Sequence, residues 1–169
     1  MKIGVLGGAF DPVHYGHLKI AEFCKDRLKL DRVLFVPTGN PPHKKPVASY
    51  QHRLKMLALA LKDYHDFALA ELEKPSRKKY SYTIDTLKRL KKIYPTASIF
   101  FIIGQDNVKK IKTWHNYQSL FDYATFVVLR RPGDFQGLDN IEYKDKILFI
   151  DSPAIDIASR DIRQKLRLG

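Results

Sequence analysis

The chain has 169 residues, 44% hydrophobic and 28% charged, which gives a compact fold its own core and excludes intrinsic disorder. Its single cysteine, Cys24, excludes a disulfide framework and points to a reducing, cytoplasmic setting; no apolar run approaches the ~18 residues of a membrane span, and the start does not read as a signal peptide. Thirty Lys and Arg against eighteen Asp and Glu give a net charge of +12, which favours polyanionic ligands without choosing among nucleic acid, phosphorylated small molecules and acidic lipid.

Residues 3–6 form a short apolar run that stops at Gly7-Gly8 and reads as a buried strand. Residues 16–28 place Leu18, Ala21, Phe23, Cys24 and Leu28 at helical spacing, and residues 32–36 read as a second strand closed by Pro37. A loop with four prolines covers 37–47, followed by a helix over 51–61 and a short strand over 67–69. Residues 75–79 form a basic loop, and 82–94 a helix that ends before Pro95. The run 99–103 is the clearest strand, five apolar residues ending at Gly104. Short helices are expected at 108–111 and 117–123, strands at 125–129 and 147–150, and a final helix at 159–168. Fully apolar strands alternating with helices predict one doubly wound, Rossmann-like α/β domain over 1–169, a parallel sheet with helices on both faces. Its ligands belong beyond the carboxyl ends of the strands, in segments 7–17, 37–45, 72–83, 104–115 and 152–163. Two basic runs, one of Lys74, Arg77, Lys78 and Lys79 and one of Lys88, Arg89, Lys91 and Lys92, read first as solvated faces.

The first of these loops is Gly7-Gly8-Ala9-Phe10-Asp11-Pro12-Val13-His14-Tyr15-Gly16-His17. It has neither the G-x-G-x-x-G nor the G-x-x-x-x-G-K-[ST] spacing, so dinucleotide and P-loop readings both lose support. A glycine pair leaving a strand lets backbone N–H groups approach phosphate oxygens, and a helix N-terminus adds donors and partial positive charge. His14 and His17 sit one helical turn apart, and Gly16 between them leaves room for a ligand. A metal site is not expected, because no third ligand follows at regular spacing.

That eleven-residue string resembles the signature of the HxGH nucleotidyltransferase superfamily and, within it, the nicotinate-nucleotide adenylyltransferases. The resemblance runs from Met1 to about Arg163. It includes Pro41-Pro42-His43-Lys44, Tyr82-Thr83-Ile84-Asp85-Thr86-Leu87, Ile103-Gly104-Gln105-Asp106, Trp114-His115 and Arg130-Arg131-Pro132-Gly133. The tail Ile157-Ala158-Ser159-Arg160-Asp161-Ile162-Arg163 is similar to the family's ISSTxIR motif, with Ala158 where the family has serine and Arg160 where it has threonine. The resemblance implies transfer of AMP from ATP to nicotinate mononucleotide, with Mg²⁺ accompanying ATP. It places Gly7, Gly8, Ala9 and Phe10 against the nucleotide and His14 and His17 on its phosphates. Ser159, Arg160 and Arg163 would hold the pyrophosphate portion, so His14, His17 and Arg163 carry catalysis. Lys44, Tyr82, Thr83, Asp106, Trp114 and His115 would bind the acceptor, with Trp114 stacked on the pyridine ring. The implied partners are these two small molecules and, compatibly, further copies of the chain, but neither nucleic acid nor membrane. Many members continue past the point corresponding to Gly169; activity is expected to depend on residues before it.

Three rivals stand beside this reading. A phosphopantetheine adenylyltransferase usually has threonine at the position of His14. An enzyme preferring nicotinamide mononucleotide would differ by a few donors around the ring. A basic nucleic-acid-binding domain would carry a recognition-helix, zinc-cysteine or RNP-type motif, and none is present.

Overall fold

The computed structural model describes residues 1–42, 45–76, 80–108, 110–130 and 144–168. Six parallel strands form one sheet: β1 (Lys2–Gly8), β2 (Arg32–Pro37), β3 (Phe67–Leu69), β4 (Ser98–Gly104), β5 (Thr125–Arg130) and β6 (Ile147–Asp151), in the order β3-β2-β1-β4-β5-β6. That order runs outward from β1 in one direction and then from β4 in the other, so the switch point lies between β1 and β4. The expected doubly wound parallel sheet is the observed one.

Side chains alternate across the sheet, and both faces are covered. Ile3 and Val5, Leu34 and Val36, Ile99, Phe101 and Ile103, and Phe126 and Val128 enter one core. Leu6, Val33 and Phe35, Ile102, and Val127 and Leu129 enter the other. Burial on both faces is why the strands read as continuous apolar runs rather than alternating ones.

Helix α1 (Tyr15–Leu28) covers the second core with Leu18, Ala21 and Cys24, beside Leu57 of α2 (Tyr50–Ala60). Helix α3 (Thr83–Ile93) covers the first core with Ile84, Leu87 and Leu90, beside Leu120 of α5 (Tyr117–Leu120). The short helix expected at 108–111 is instead α4 (Gln105–Val108), which leaves β4 without a connecting loop, followed by a 3-10 turn at Ile111–Thr113. It starts earlier because Gln105 and Val108 are the residues this turn buries, a spacing hidden by the polar Asp106 and Asn107.

The final helix, α6 (Ser159–Leu168), is different in kind: none of its side chains from 159 to 167 is buried. At roughly 1.5–3 kcal/mol for each fully buried aliphatic side chain, α3 is anchored by its core contacts. Helix α6 must instead be placed by polar contacts to the rest of the chain. Among the described residues, no helix is long and apolar enough to cross a membrane.

Candidate active site

The loop leaving β1 is built tightly. Phe10 adopts φ 48°, a left-handed conformation that is uncommon for a residue with a side chain, and its ring is 2% exposed beneath Gly8. The ring meets His17 edge-on at 5.0 Å and Phe35 at 5.7 Å. Only the backbone of Phe10 is left to face a ligand, so the expected contact through this residue is reduced to its main chain. Asp11 is also buried; its carboxylate accepts the amides of Val47 at 2.7 Å and Ala48 at 3.0 Å. The loop after β2 is thereby tied to the loop after β1.

His14 is the N-cap of α1, and His17 lies in its first turn. Their rings lie against each other, tilted by 31°, with centroids 3.8 Å apart. The backbone N–H of His14 donates to His17 Nδ1 at 3.3 Å, which makes Nδ1 the acceptor and leaves the ring proton on Nε2. Burial, then the charge of His14, lowers the pKa of His17 from 6.5 to about 3; burial alone lowers that of His14. Near neutral pH His17 is therefore an uncharged donor through Nε2–H. The expectation that Gly16 leaves room for a ligand is corrected here. A Cβ on Gly16 would lie 2.9 Å from His14 Nδ1 and 3.0 Å from Ile155 Cγ2, so the space belongs to the histidine ring and a neighbouring isoleucine.

The chain's far end returns to this loop. Ser159 Oγ donates to the Pro12 carbonyl at 2.9 Å. Arg163 Nη1 donates to the Asp11 carbonyl and lies 3.9 Å from Asp11 Oδ2. Four of the residues singled out in the sequence, His14, His17, Ser159 and Arg163, thus converge at the carboxyl end of β1. Arg160 is exposed and faces its neighbour Asp161 at 3.3 Å.

Beyond the switch point lie the other candidates. Gly104 ends β4 in open space, with nothing within 4 Å of where a Cβ would stand, and Asp106 follows it, exposed, on α4. Trp114 is half-buried, edge-on to Phe101 at 6.4 Å and to Phe126 at 6.5 Å. Tyr82, the N-cap of α3, stacks on His115 at 4.3 Å with Thr83 next in the helix. Lys44, His43 and residues 131–133 lie outside the described residues, as do Arg77, Lys78 and Lys79 of the first basic run. In the second run, Arg89 bonds the Leu72 carbonyl, Lys91 Nζ the Ala97 carbonyl at 2.8 Å, and Lys88 lies 6.0 Å from the Tyr123 ring centre. Three of those four cations have local structural work.

A buried arginine beside the site was not singled out in the sequence. Arg53, 1% exposed on α2, donates from Nη1 to the Ala9 carbonyl at 2.6 Å and from Nη2 to the Thr38 carbonyl at 2.8 Å. It clamps the ends of β1 and β2 together from below. Its signal was present: Tyr50, Arg53, Leu54 and Leu57 form the buried stripe of α2, and an arginine on that stripe needs buried acceptors.

The cytidylyltransferase-like family matches residues 5–165. A Desulfitobacterium hafniense protein described as a probable nicotinate-nucleotide adenylyltransferase is 40% identical over 99% of this chain and 85% of its own length. A Thermus thermophilus protein of the same description is 40% identical over 100% of this chain and 88% of its own. In fold, the chain is similar to Plasmodium falciparum nicotinic acid mononucleotide adenylyltransferase complexed with NaAD, at a TM-score of 0.76 and 22% identity over 96% of this chain and 82% of that one.

Proposed function

The chain belongs to the cytidylyltransferase-like family and, within it, with the nicotinate-nucleotide adenylyltransferases, and we infer that it transfers the adenylyl group of ATP to nicotinate mononucleotide in NAD biosynthesis. The observation that carries this reading is the convergence of His14, His17, Ser159 and Arg163 on one strand-end loop beside the switch point. The 169 residues act as one nucleotidyltransferase domain.

The nucleophile is the phosphate monoester of the acceptor, whose second pKa of ~6 leaves it largely dianionic at neutral pH. One of its oxygens attacks the α-phosphorus of ATP, the new P–O bond forms, and the bond to the bridging oxygen breaks as pyrophosphate leaves. No proton need be removed from the nucleophile, so the chain has to supply alignment and charge stabilisation rather than a general base. A neutral His17 with its proton fixed on Nε2 suits that task, since it donates to a phosphate oxygen without competing for a proton. His14 lies beside it, and Gly7, Gly8, Ala9 and Phe10 offer backbone to the nucleotide. Arg163 and Ser159 approach the pyrophosphate portion from α6, with Arg160 at its exposed rim. Arg163 uses its Nη1 on Asp11, and the rest of its fork of donors is suited to phosphate oxygens.

Across the switch point, Trp114 stacks on the pyridine ring and Thr83 meets its carboxylate beside the Tyr82–His115 pair. Asp106 accepts ribose hydroxyls, and Lys44 meets the acceptor phosphate. Among the described residues no group of three His, Cys, Asp or Glu side chains could hold a metal, and the carboxylate of Asp11 is taken by two amides. That donor set fits Mg²⁺ carried on the nucleotide's own phosphates and water, the ion's usual mode. When bound there it neutralises phosphate charge.

ATP labelled at the α-phosphate tests the reaction. With nicotinate mononucleotide the label is expected in the dinucleotide, and an α-thio analogue of defined configuration should react with inversion at phosphorus. Retention would require a covalent adenylyl-enzyme and would overturn the direct displacement.

A further inference from the structure

A half-buried carboxylate outside the proposed chemistry lies where three segments of the acceptor side meet. Glu73 lies between β3 and α3, and its Oε1 accepts a 2.6 Å hydrogen bond from Thr86 Oγ1 in the first turns of α3. The Gly39 amide, the Ser81 hydroxyl and the Arg89 guanidinium lie close enough to favour its charged form, while its buried Oε2 has no hydrogen-bond partner among the described residues. The backbones are in close contact as well: a Cβ on Gly39 would stand 2.2 Å from the Glu73 carbonyl oxygen. Only glycine fits there, so the loop after β2 is seated directly on the Glu73 main chain.

Two more bonds fasten the same junction. The Asn40 amide donates to Ser81 Oγ at 3.0 Å, and the Ser81 amide returns to the Asn40 carbonyl at 2.9 Å. Ser81 immediately precedes Tyr82 and Thr83. A cleft of about 260 Å³ opens here, lined by Glu73, Tyr82, Asp85 and Thr86 among others. Burial pushes the Glu73 carboxyl above its ordinary pKa, so placing it here is costly. A side chain whose role was only to fill space would be apolar.

We propose that Glu73 is a positioning residue for the acceptor: it locks the loops after β2 and β3 against the start of α3, and so holds Tyr82 and Thr83 in the conformation that binds the nicotinate nucleotide. The proposal rests on the acceptor site assigned above. A residue that acts only on acceptor binding should separate the two Michaelis constants, a split that general loss of stability would not produce.

The test is steady-state kinetics of the wild type, Glu73→Ala, Glu73→Gln and Thr86→Val, with Tm measured for each. For Glu73→Ala, KM for nicotinate mononucleotide should rise about ten-fold or more, while KM for ATP stays within about two-fold. Glu73→Gln keeps a carbonyl oxygen for Thr86 and should recover most of the loss. Thr86→Val removes the same bond from the other side and should show the same split, which preserves the test should Glu73→Ala fail to fold. Unchanged constants, or a parallel rise in both that follows Tm, would overturn the proposal with the acceptor site intact. A folded wild type that is inactive with nicotinate mononucleotide would remove the acceptor assignment, and the proposal with it.

Discussion

The tautomer of His17 is set by a single backbone proton. Because the His14 amide occupies Nδ1, the Nε2–H is fixed as a donor, and the low pKa keeps the ring uncharged when polyphosphate is absent. Asparagine reproduces the Nδ1 acceptor but not the Nε2 donor. His17→Asn should therefore keep the cap and lose kcat by roughly 10²–10³, the usual cost of removing one donor to developing charge. The same variant has a pH signature. The unfolded chain protonates His17 near 6.5 while the folded one resists until about 3, so His17 costs stability progressively as pH falls from 6.5 toward 3. Thermal melts across that window should fall less steeply for His17→Asn than for the wild type. A near-normal kcat, or identical slopes, would contradict the role given to this ring.

Among the elements, α2 is the one whose function is hidden by its name as a covering helix. Its Arg53 bonds the carbonyls that open the loops after β1 and β2. Arg53→Met keeps the stripe apolar but leaves both part-buried carbonyl oxygens without that partner, at up to roughly 1–3 kcal/mol for an unsatisfied group. Urea denaturation should show a loss of that size with an unchanged m-value, and kcat should drop as the β1 loop relaxes. Retention of both would show that the clamp is dispensable.

Strands β1, β2, β4 and β5 were legible because both of their faces are buried, so unbroken apolar runs marked them. The histidine pair was legible as a string of residues. Its geometry was not, since nothing in the order of letters says that Gly16 yields its space to His14 or that Phe10 turns its ring into the core. Arg53 and Glu73 stayed hidden for a related reason. Each meets groups that are distant in sequence, the Ala9 carbonyl for one and the Gly39 main chain for the other, and such pairings exist only once the sheet has brought the strand ends together.

At the scale of the molecule, the strand order places the end of β1 beside that of β4, and α6 returns across the β1 loop with few apolar contacts of its own. The candidate site is thus assembled from both ends of the chain on one sheet, in a molecule whose net charge of +12 suits a reaction among phosphates. The acceptor is decided by pyrophosphate release from ATP and Mg²⁺ with nicotinate mononucleotide, nicotinamide mononucleotide and phosphopantetheine offered separately. Strong release with the first, little with the second and none with the third is the predicted result. Preference for the amide, or silence with all three from a folded protein, would contradict it.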